Sequence, residues 1–126
     1  MKPNHTGLYR ILKATQYSWQ GLKAAFKFEA AFRQELLMLT LALPFILWID
    51  ISAIEKAFLI STVFLLLIVE LLNSAIEAVV DRIGSEHHEL SGRAKDIASS
   101  AIFVTFVMIG VTWPLILWEP ITRLFS

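Results

Sequence analysis

Residues 57–80 read AFLISTVFLLLIVELLNSAIEAVV, and this segment decides the fold of the chain. A helix over these residues is about 36 Å long, enough to cross the roughly 30 Å hydrocarbon core of a membrane. Two glutamates, Glu70 and Glu77, interrupt the apolar run. A carboxylate inside a membrane span costs about 3 kcal/mol or more unless it is paired, hydrated or protonated. The segment therefore predicts a membrane helix that carries chemistry.

The two glutamates are predicted to share one helix face. A spacing of seven residues is nearly two turns, so their carboxylates project from the same side, about 10 Å apart along the axis, with Asn73 and Ser74 between them. A buried Glu70 suits the role of a general base. The alternative is a structural carboxyl group that is protonated and hydrogen-bonded to a neighbouring helix.

Glu77 and Glu29 form a second candidate constellation. Magnesium needs only one or two carboxylates in addition to water and substrate phosphates, so this sparse pair could hold a divalent cation. Glu77 could instead be an interfacial residue that pairs with Arg82 or Lys95. The spacing leaves both interpretations open.

Two further spans and a surface helix complete the predicted architecture. The spans cover residues 30–49, with Pro44 inside, and residues 97–118, with Pro114 near the end. Residues 7–28 predict an amphipathic helix that has basic side chains on one side and Leu, Ile, Trp and Phe on the other. This pattern is typical of a helix lying on a membrane surface, and packing on other protein is the alternative. Trp48 and Trp118 suit an aromatic belt at one interface.

The composition supports a single membrane domain. The 126 residues are 56% hydrophobic, with a mean hydropathy of +0.64 and a net charge of zero. A soluble domain of this size could not bury so much apolar surface, and the charge balance gives no reason to expect a nucleic acid partner. There is no cysteine, so thiol chemistry and disulfides are excluded. Polar residues throughout 2–35 lead us to expect no cleaved signal peptide.

The basic residues predict the orientation. Of the 11 Lys and Arg residues, only Lys56 and Arg123 fall on one side of the predicted membrane. The positive-inside rule then places the N-terminus and residues 81–96 in the cytoplasm and the C-terminus outside. Residues 81–96 are expected to form a polar cytoplasmic loop that either grips a phosphorylated ligand or is merely solvated. Adjacent His87 and His88 lack helical zinc-ligand spacing, and the chain has no P-loop, GxGxxG or GxSxG motif.

Four stretches carry a resemblance to a known family. They are YSWQGL at residues 17–22, EAAFRQE at 29–35, ELLNSAIEAVVDR at 70–82 and IGSEHHELSGRAKD at 83–96. With these motifs, the length and the three spans, the chain resembles the prokaryotic diacylglycerol kinases, which are small integral-membrane lipid kinases. The departures are Pro44, Pro114 and the pair His87-His88, where an aromatic–His pair is expected.

The resemblance implies an all-α homotrimeric helix bundle of a bacterial inner membrane, with sites shared between subunits. It implies phosphoryl transfer from MgATP to diacylglycerol, with Glu70 as the catalytic base and Glu29 and Glu77 as magnesium ligands. The nucleotide-binding positions would be Arg10, Tyr17, Glu29, Glu77, Glu86, His87, His88, Lys95 and Asp96. The lipid-binding positions would be Arg10, Ala14, Ser18, Trp19, Lys23, Phe26, Ala31, Arg33, Glu35, Trp48, Glu70, Ser99 and Trp113.

Two rival functions remain open at this point. Undecaprenol kinase shares the carboxylate framework but acts on a different lipid. A noncatalytic membrane protein could use Glu70 as a buried proton relay.

Overall fold

The computed structural model describes residues 6–84 and 88–126, and all regular structure in this part of the chain is α-helical. The four helices are α1 (Gly7–Phe28), α2 (Ala30–Trp48), α3 (Ala53–Ile83) and α4 (Glu89–Leu124). Helices α2, α3 and α4 are each long and apolar enough to cross a membrane. The three predicted spans are therefore confirmed as helices, and the chain is a multi-pass helical membrane protein.

Helix α3 is the centre of the bundle. It packs against both α2 and α4, while α1 contacts the start of α2. One apolar cluster joins Ala25, Phe32, Leu39, Val63 and Leu67. A second cluster lies towards the other end of the bundle and joins Ile46, Ile49, Leu59 and Leu117. Between them the Trp113 indole Nε1 donates a 2.9 Å hydrogen bond to the Thr62 hydroxyl, which ties α4 to α3.

Helix α1 matches the predicted range and passes through Gly21 without a break. Only Ala25 of this helix is buried. Its apolar side chains, including Leu8, Ile11 and Trp19, stay largely exposed. A helix with so much uncovered apolar surface needs another apolar phase to cover it.

The corner between α2 and α3 shows why α3 begins at residue 53 rather than at the predicted residue 57. Ser52 and Glu55 form a reciprocal capping box, with Ser52 Oγ accepting from the Glu55 amide at 3.1 Å and Glu55 Oε1 accepting from the Ser52 amide at 3.0 Å. This box satisfies two amides that a helix start leaves without partners. Lys56 then reaches back, and its Nζ donates to the Leu47 carbonyl at 2.7 Å.

The predicted loop over residues 81–96 is wrong in extent. Helix α3 continues to Ile83, and α4 begins at Glu89, so residues 89–96 are helical. His88 caps α4, because its Nδ1 accepts a 3.1 Å hydrogen bond from the Leu90 amide. The polarity of residues 89–96 favours a loop, but Arg, Lys and Glu are good helix formers, so a polar stretch can be helical. At its other end α4 extends past the predicted residue 118, through Pro114 and Pro120.

Candidate active site

The site is built on one stripe of α3. Glu70 is 4% exposed and Asn73 is 7% exposed, although both are polar and lie in a candidate membrane span. Asn73 Nδ2 donates a 2.8 Å hydrogen bond to Oε1 of Glu77. The Ser74 side chain lies beside the Glu70 carboxylate. The predicted face of two glutamates with Asn73 and Ser74 between them is therefore present as a polar stripe.

Glu29 comes to this stripe from the corner between α1 and α2. It is the single residue between the two helices, with an extended backbone at φ −115° and ψ 105°. The Glu29 and Glu77 carboxylates both interact electrostatically with Glu70 and would repel it when ionised. Three ionised carboxylates this close together repel one another. The arrangement is therefore stable only with a proton, a cation or water between them.

Two buried polar atoms at this level have no hydrogen-bond partner within the described residues. They are Asn73 Oδ1 and Glu35 Oε2. Because a buried oxygen without a partner costs about 1–3 kcal/mol, such atoms in a site indicate where a ligand, an ion or water belongs. Both atoms are acceptors, so together with the carboxylates they suit a cation or a hydroxyl donor.

The oxygen atoms of this site can be compared with the ligands that metal ions require. Within residues 6–84 and 88–126, no group of three or more His, Asp and Glu side chains is close enough to hold a metal by itself. Magnesium usually binds through one or two carboxylates and completes its shell with waters and substrate phosphates. Glu29 and Glu77, with the oxygen-rich surroundings of Asn73, fit that sparse mode of binding. They do not fit a closed site made of protein ligands alone.

Glu35 packs inside the bundle, where its side chain is 6% exposed. Its carboxylate interacts electrostatically with Glu70 on α3. The buried residues of α2 are Phe32, Glu35, Leu39 and Ile46, and this helical period contained the signal that Glu35 faces the core.

Arg33 contacts the end of α1. Its Nη1 donates to the Phe26 carbonyl at 2.7 Å and to the Lys27 carbonyl at 3.2 Å. Both acceptors belong to the last turn of α1. The side chain therefore folds back on the preceding helix.

A cation stands beside the carboxylates on α4. Lys95 Nζ forms a 2.7 Å ion pair with Asp81 of α3, and it is also attracted to Glu77 at longer range. Among the described residues Glu77 has no ion pair within 4.0 Å with Arg82 or Lys95, so its direct partner is Asn73. His88 and Asp96 are exposed on the same end of α4. Glu86 and His87 lie outside the described residues.

An open groove runs from the carboxylates along α1 and α3. Its volume is about 680 Å³, and small or apolar side chains line most of it. Ser18, Glu29 and Ser74 are its polar lining residues. Of the candidate positions on α1, the groove contains Ser18, while Trp19 and Phe26 are largely exposed outside it. Lys23 lies with its ammonium 6.0 Å from the Trp19 ring centroid.

Several candidate residues lie far from the carboxylates of the same chain. Arg10 precedes Glu29 by about 28 Å of helix, and Ala14 and Tyr17 lie on the same exposed stretch of α1. Trp48 ends α2, about 28 Å from Glu29. The Trp113 indole donates a hydrogen bond to Thr62 inside the bundle. Ala31 and Ser99 are exposed on α2 and α4. One chain therefore brings together Glu29, Glu35, Glu70, Glu77 and Lys95, has Ser18 in the adjoining groove, and leaves Arg10 and Trp48 far from the carboxylates.

Two residues of the site have no role in the predictions from sequence. Asn73 donates a hydrogen bond to Glu77. Asp81, which the sequence predicts in a loop, lies in α3 and pairs with Lys95. The polarity of Asn73 within an apolar span was the available signal.

This fold and site define a small helical membrane protein with a buried cluster of carboxylates near one end of its bundle. The profile of the prokaryotic diacylglycerol kinases matches residues 16–117. The chain belongs to this family.

Relatives match over most of their length. The diacylglycerol kinase of Escherichia coli strain K12 is 56% identical over 119 residues, which cover 94% of this chain and 98% of the relative. The diacylglycerol kinase of Pseudomonas aeruginosa is 54% identical over 112 residues, covering 89% and 91%. That of Haemophilus influenzae is 48% identical over 108 residues, covering 86% and 92%.

Proposed function

We propose that this chain phosphorylates diacylglycerol to phosphatidic acid with MgATP at the cytoplasmic face of a bacterial inner membrane. The observation that carries the proposal is the buried Glu70 beside Glu29 and Glu77, in a chain 56% identical to a diacylglycerol kinase. Phosphoryl transfer needs positioning and charge neutralisation more than covalent catalysis, so a few carboxylates, a cation and one base suffice.

In the proposed mechanism Glu70 is the general base. Its carboxylate takes the proton of the lipid hydroxyl as the oxygen forms a bond to the γ-phosphorus, and the bond from that phosphorus to the β,γ-bridging oxygen breaks to release ADP. The Ser74 hydroxyl, beside the Glu70 carboxylate, would help to orient it. Burial keeps competing water away from the base.

Glu29 and Glu77 are the residues that would hold Mg²⁺. The ion, when bound, neutralises charge on the transferred phosphoryl group and on the leaving ADP. Asn73 fixes one oxygen of Glu77, so that the carboxylate does not have to be ordered when the nucleotide arrives. Lys95, held by Asp81, supplies positive charge at the rim for the nucleotide phosphates.

The remaining candidate positions suggest that each site is completed by a neighbouring subunit. Arg10 lies about 28 Å of helix away from Glu29 of its own chain. The outer faces of α2, α3 and α4 also expose many large apolar side chains. We propose a homotrimer in which these faces pack together or contact lipid. Helix α1 would lie on the cytoplasmic surface, where a lipid hydroxyl meets ATP.

One competition assay tests the function. Purified protein in mixed micelles is given equal amounts of diacylglycerol and undecaprenol with γ-labelled ATP and Mg²⁺, and the labelled lipids are separated. Label in phosphatidic acid is the expected result. Label mainly in undecaprenyl phosphate would reassign the lipid substrate. Absence of any labelled lipid, with proton flux through liposomes containing the protein, would favour the noncatalytic relay instead.

A further inference from the structure

Arg33 makes a contact between helices that a role in lipid binding does not explain. It lies in the first turn of α2, yet its guanidinium Nη1 donates to two carbonyls of α1, those of Phe26 at 2.7 Å and Lys27 at 3.2 Å. These acceptors precede Arg33 by seven and six residues, so they are not part of the repeating hydrogen bonds of α2. The contact spans the corner at Glu29.

The chemistry of this contact favours a fixed corner. The last carbonyls of a helix have no partner within the helix, and the C-terminal end of the helix attracts positive charge. The Arg33 guanidinium donates hydrogen bonds to such carbonyls of α1 and places a positive charge at the C-terminal end of this helix. On the α2 side its own backbone amide donates to the Glu29 carbonyl at 3.3 Å. Arg33 thus contacts both the Glu29 carbonyl and the end of α1 that precedes it.

The position of Glu29 depends on that corner. Glu29 is the only residue between α1 and α2, and its backbone is extended. Its carboxylate interacts electrostatically with Glu70. The backbone angles of Glu29 set both the direction of this side chain and the angle between α1 and α2. A helix joined through a single extended residue would otherwise pivot about the φ and ψ angles of that residue, since α1 buries only Ala25.

We propose that Arg33 is a positioning residue that holds Glu29 at the carboxylate site by fixing the angle between α1 and α2. The inference rests on the proposed function, because the consequence for activity runs through Glu29 as a magnesium ligand. A planar guanidinium matters here, since one nitrogen bridges two carbonyls while the rest of the group stays in plane. Lysine keeps the charge but not that geometry.

The chain provides a matched control at the other end of α2. Lys56 of α3 binds the Leu47 carbonyl at 2.7 Å, which is the same kind of contact to the end of a preceding helix, far from the carboxylates. If contacts of this kind only stabilise the bundle, Lys56→Ala and Arg33→Ala will have the same effects. If Arg33 positions Glu29, only Arg33→Ala will alter the dependence on magnesium.

The kinetic test measures half-saturating Mg²⁺ and the KM for diacylglycerol in parallel. For Arg33→Ala we expect half-saturating Mg²⁺ to rise about tenfold, with less than a twofold change in the KM for diacylglycerol. Half-saturating Mg²⁺ for Arg33→Lys should fall between the values for Arg33→Ala and wild type. In a Glu29→Gln background, Arg33→Ala should cause no further rise, because coupled residues are not additive. A higher KM for diacylglycerol with unchanged magnesium dependence would overturn the inference in favour of a lipid contact.

A distance measurement tests the same inference without activity. Because the chain has no cysteine, spin labels can be placed at Gln20→Cys in α1 and Leu41→Cys in α2, both exposed positions. The labelled protein is diluted with unlabelled protein to suppress distances between subunits. We expect one narrow distance distribution in the parent and in Lys56→Ala, and a broad one in Arg33→Ala. An unchanged distribution in Arg33→Ala would overturn the inference, even if wild-type protein labels no lipid and the proposed function fails.

Discussion

Asn73 donates a 2.8 Å hydrogen bond from Nδ2 to Oε1 of Glu77, one turn further along α3. The other amide atom, Oδ1, is buried and has no hydrogen-bond partner among the described residues. The amide thus orients a carboxylate on one side and leaves an acceptor on the other. Helix α3 therefore supplies Glu70 and Glu77 and also a residue between them, Asn73, that orients the Glu77 carboxylate.

The Asn73–Glu77 contact predicts a coupled effect on magnesium. Asn73→Ala should raise half-saturating Mg²⁺ by about tenfold, since a hydrogen bond to a charged group contributes about 1.5 kcal/mol or more. In a Glu77→Ala background the same change should have no further effect. Titration of activity with Mg²⁺ in the two single variants and the double variant checks this. Additive effects would show that Asn73 acts independently of Glu77.

Glu77→Ala should raise half-saturating Mg²⁺ by tenfold or more, because it removes one of the two proposed carboxylate ligands. The measurement is initial rate against free Mg²⁺ at saturating ATP and lipid. Glu119→Ala, at the far end of α4, is the matched control and should leave the curve unchanged. An unaltered magnesium dependence in Glu77→Ala would show that the metal role is wrong.

Glu70→Gln should lower kcat by at least about 100-fold, since an amide of the same shape cannot accept the hydroxyl proton and general bases contribute about 10²–10⁴-fold. Transfer of labelled phosphate to diacylglycerol measures the loss, and size-exclusion chromatography in detergent checks that assembly is intact. Glu55→Gln makes the same chemical change at the opposite end of α3, where the side chain caps the helix. That control should turn over normally. Normal turnover in Glu70→Gln would refute the assignment of the base.

The Trp113–Thr62 hydrogen bond should contribute to stability but not to catalysis. Thr62→Val removes the acceptor of the indole, and we expect a loss of about 0.6–1.7 kcal/mol in the free energy of unfolding, the range for hydrogen bonds between membrane helices. Denaturation in mixed micelles measures this loss. Thr105→Val is the control, because the Thr105 hydroxyl donates to the Ala101 carbonyl of its own helix. Equal losses in the two variants would show that the contact between helices adds nothing.

Much of the architecture could be predicted from local sequence. Apolar runs of membrane length predicted α2, α3 and α4, and the range of α1 was predicted by its amphipathic period. Helix ends were less accurate. The Ser52–Glu55 capping box marks the start of α3 at residue 53, earlier than the residue 57 that the apolar run predicts. Residues 89–96 are polar, and polarity alone does not distinguish a loop from a helix that emerges from the membrane.

The sequence by itself determined which side chains face the same way on α3, because the helical period places Glu70, Asn73 and Glu77 on one stripe whatever else packs nearby. Only the tertiary structure decided what meets that stripe. Glu29 arrives through a corner between two helices, Glu35 turns inward from α2, and Arg33 binds the end of α1. These contacts depend on the angle at which separate helices meet, and no local spacing along the chain encodes that angle.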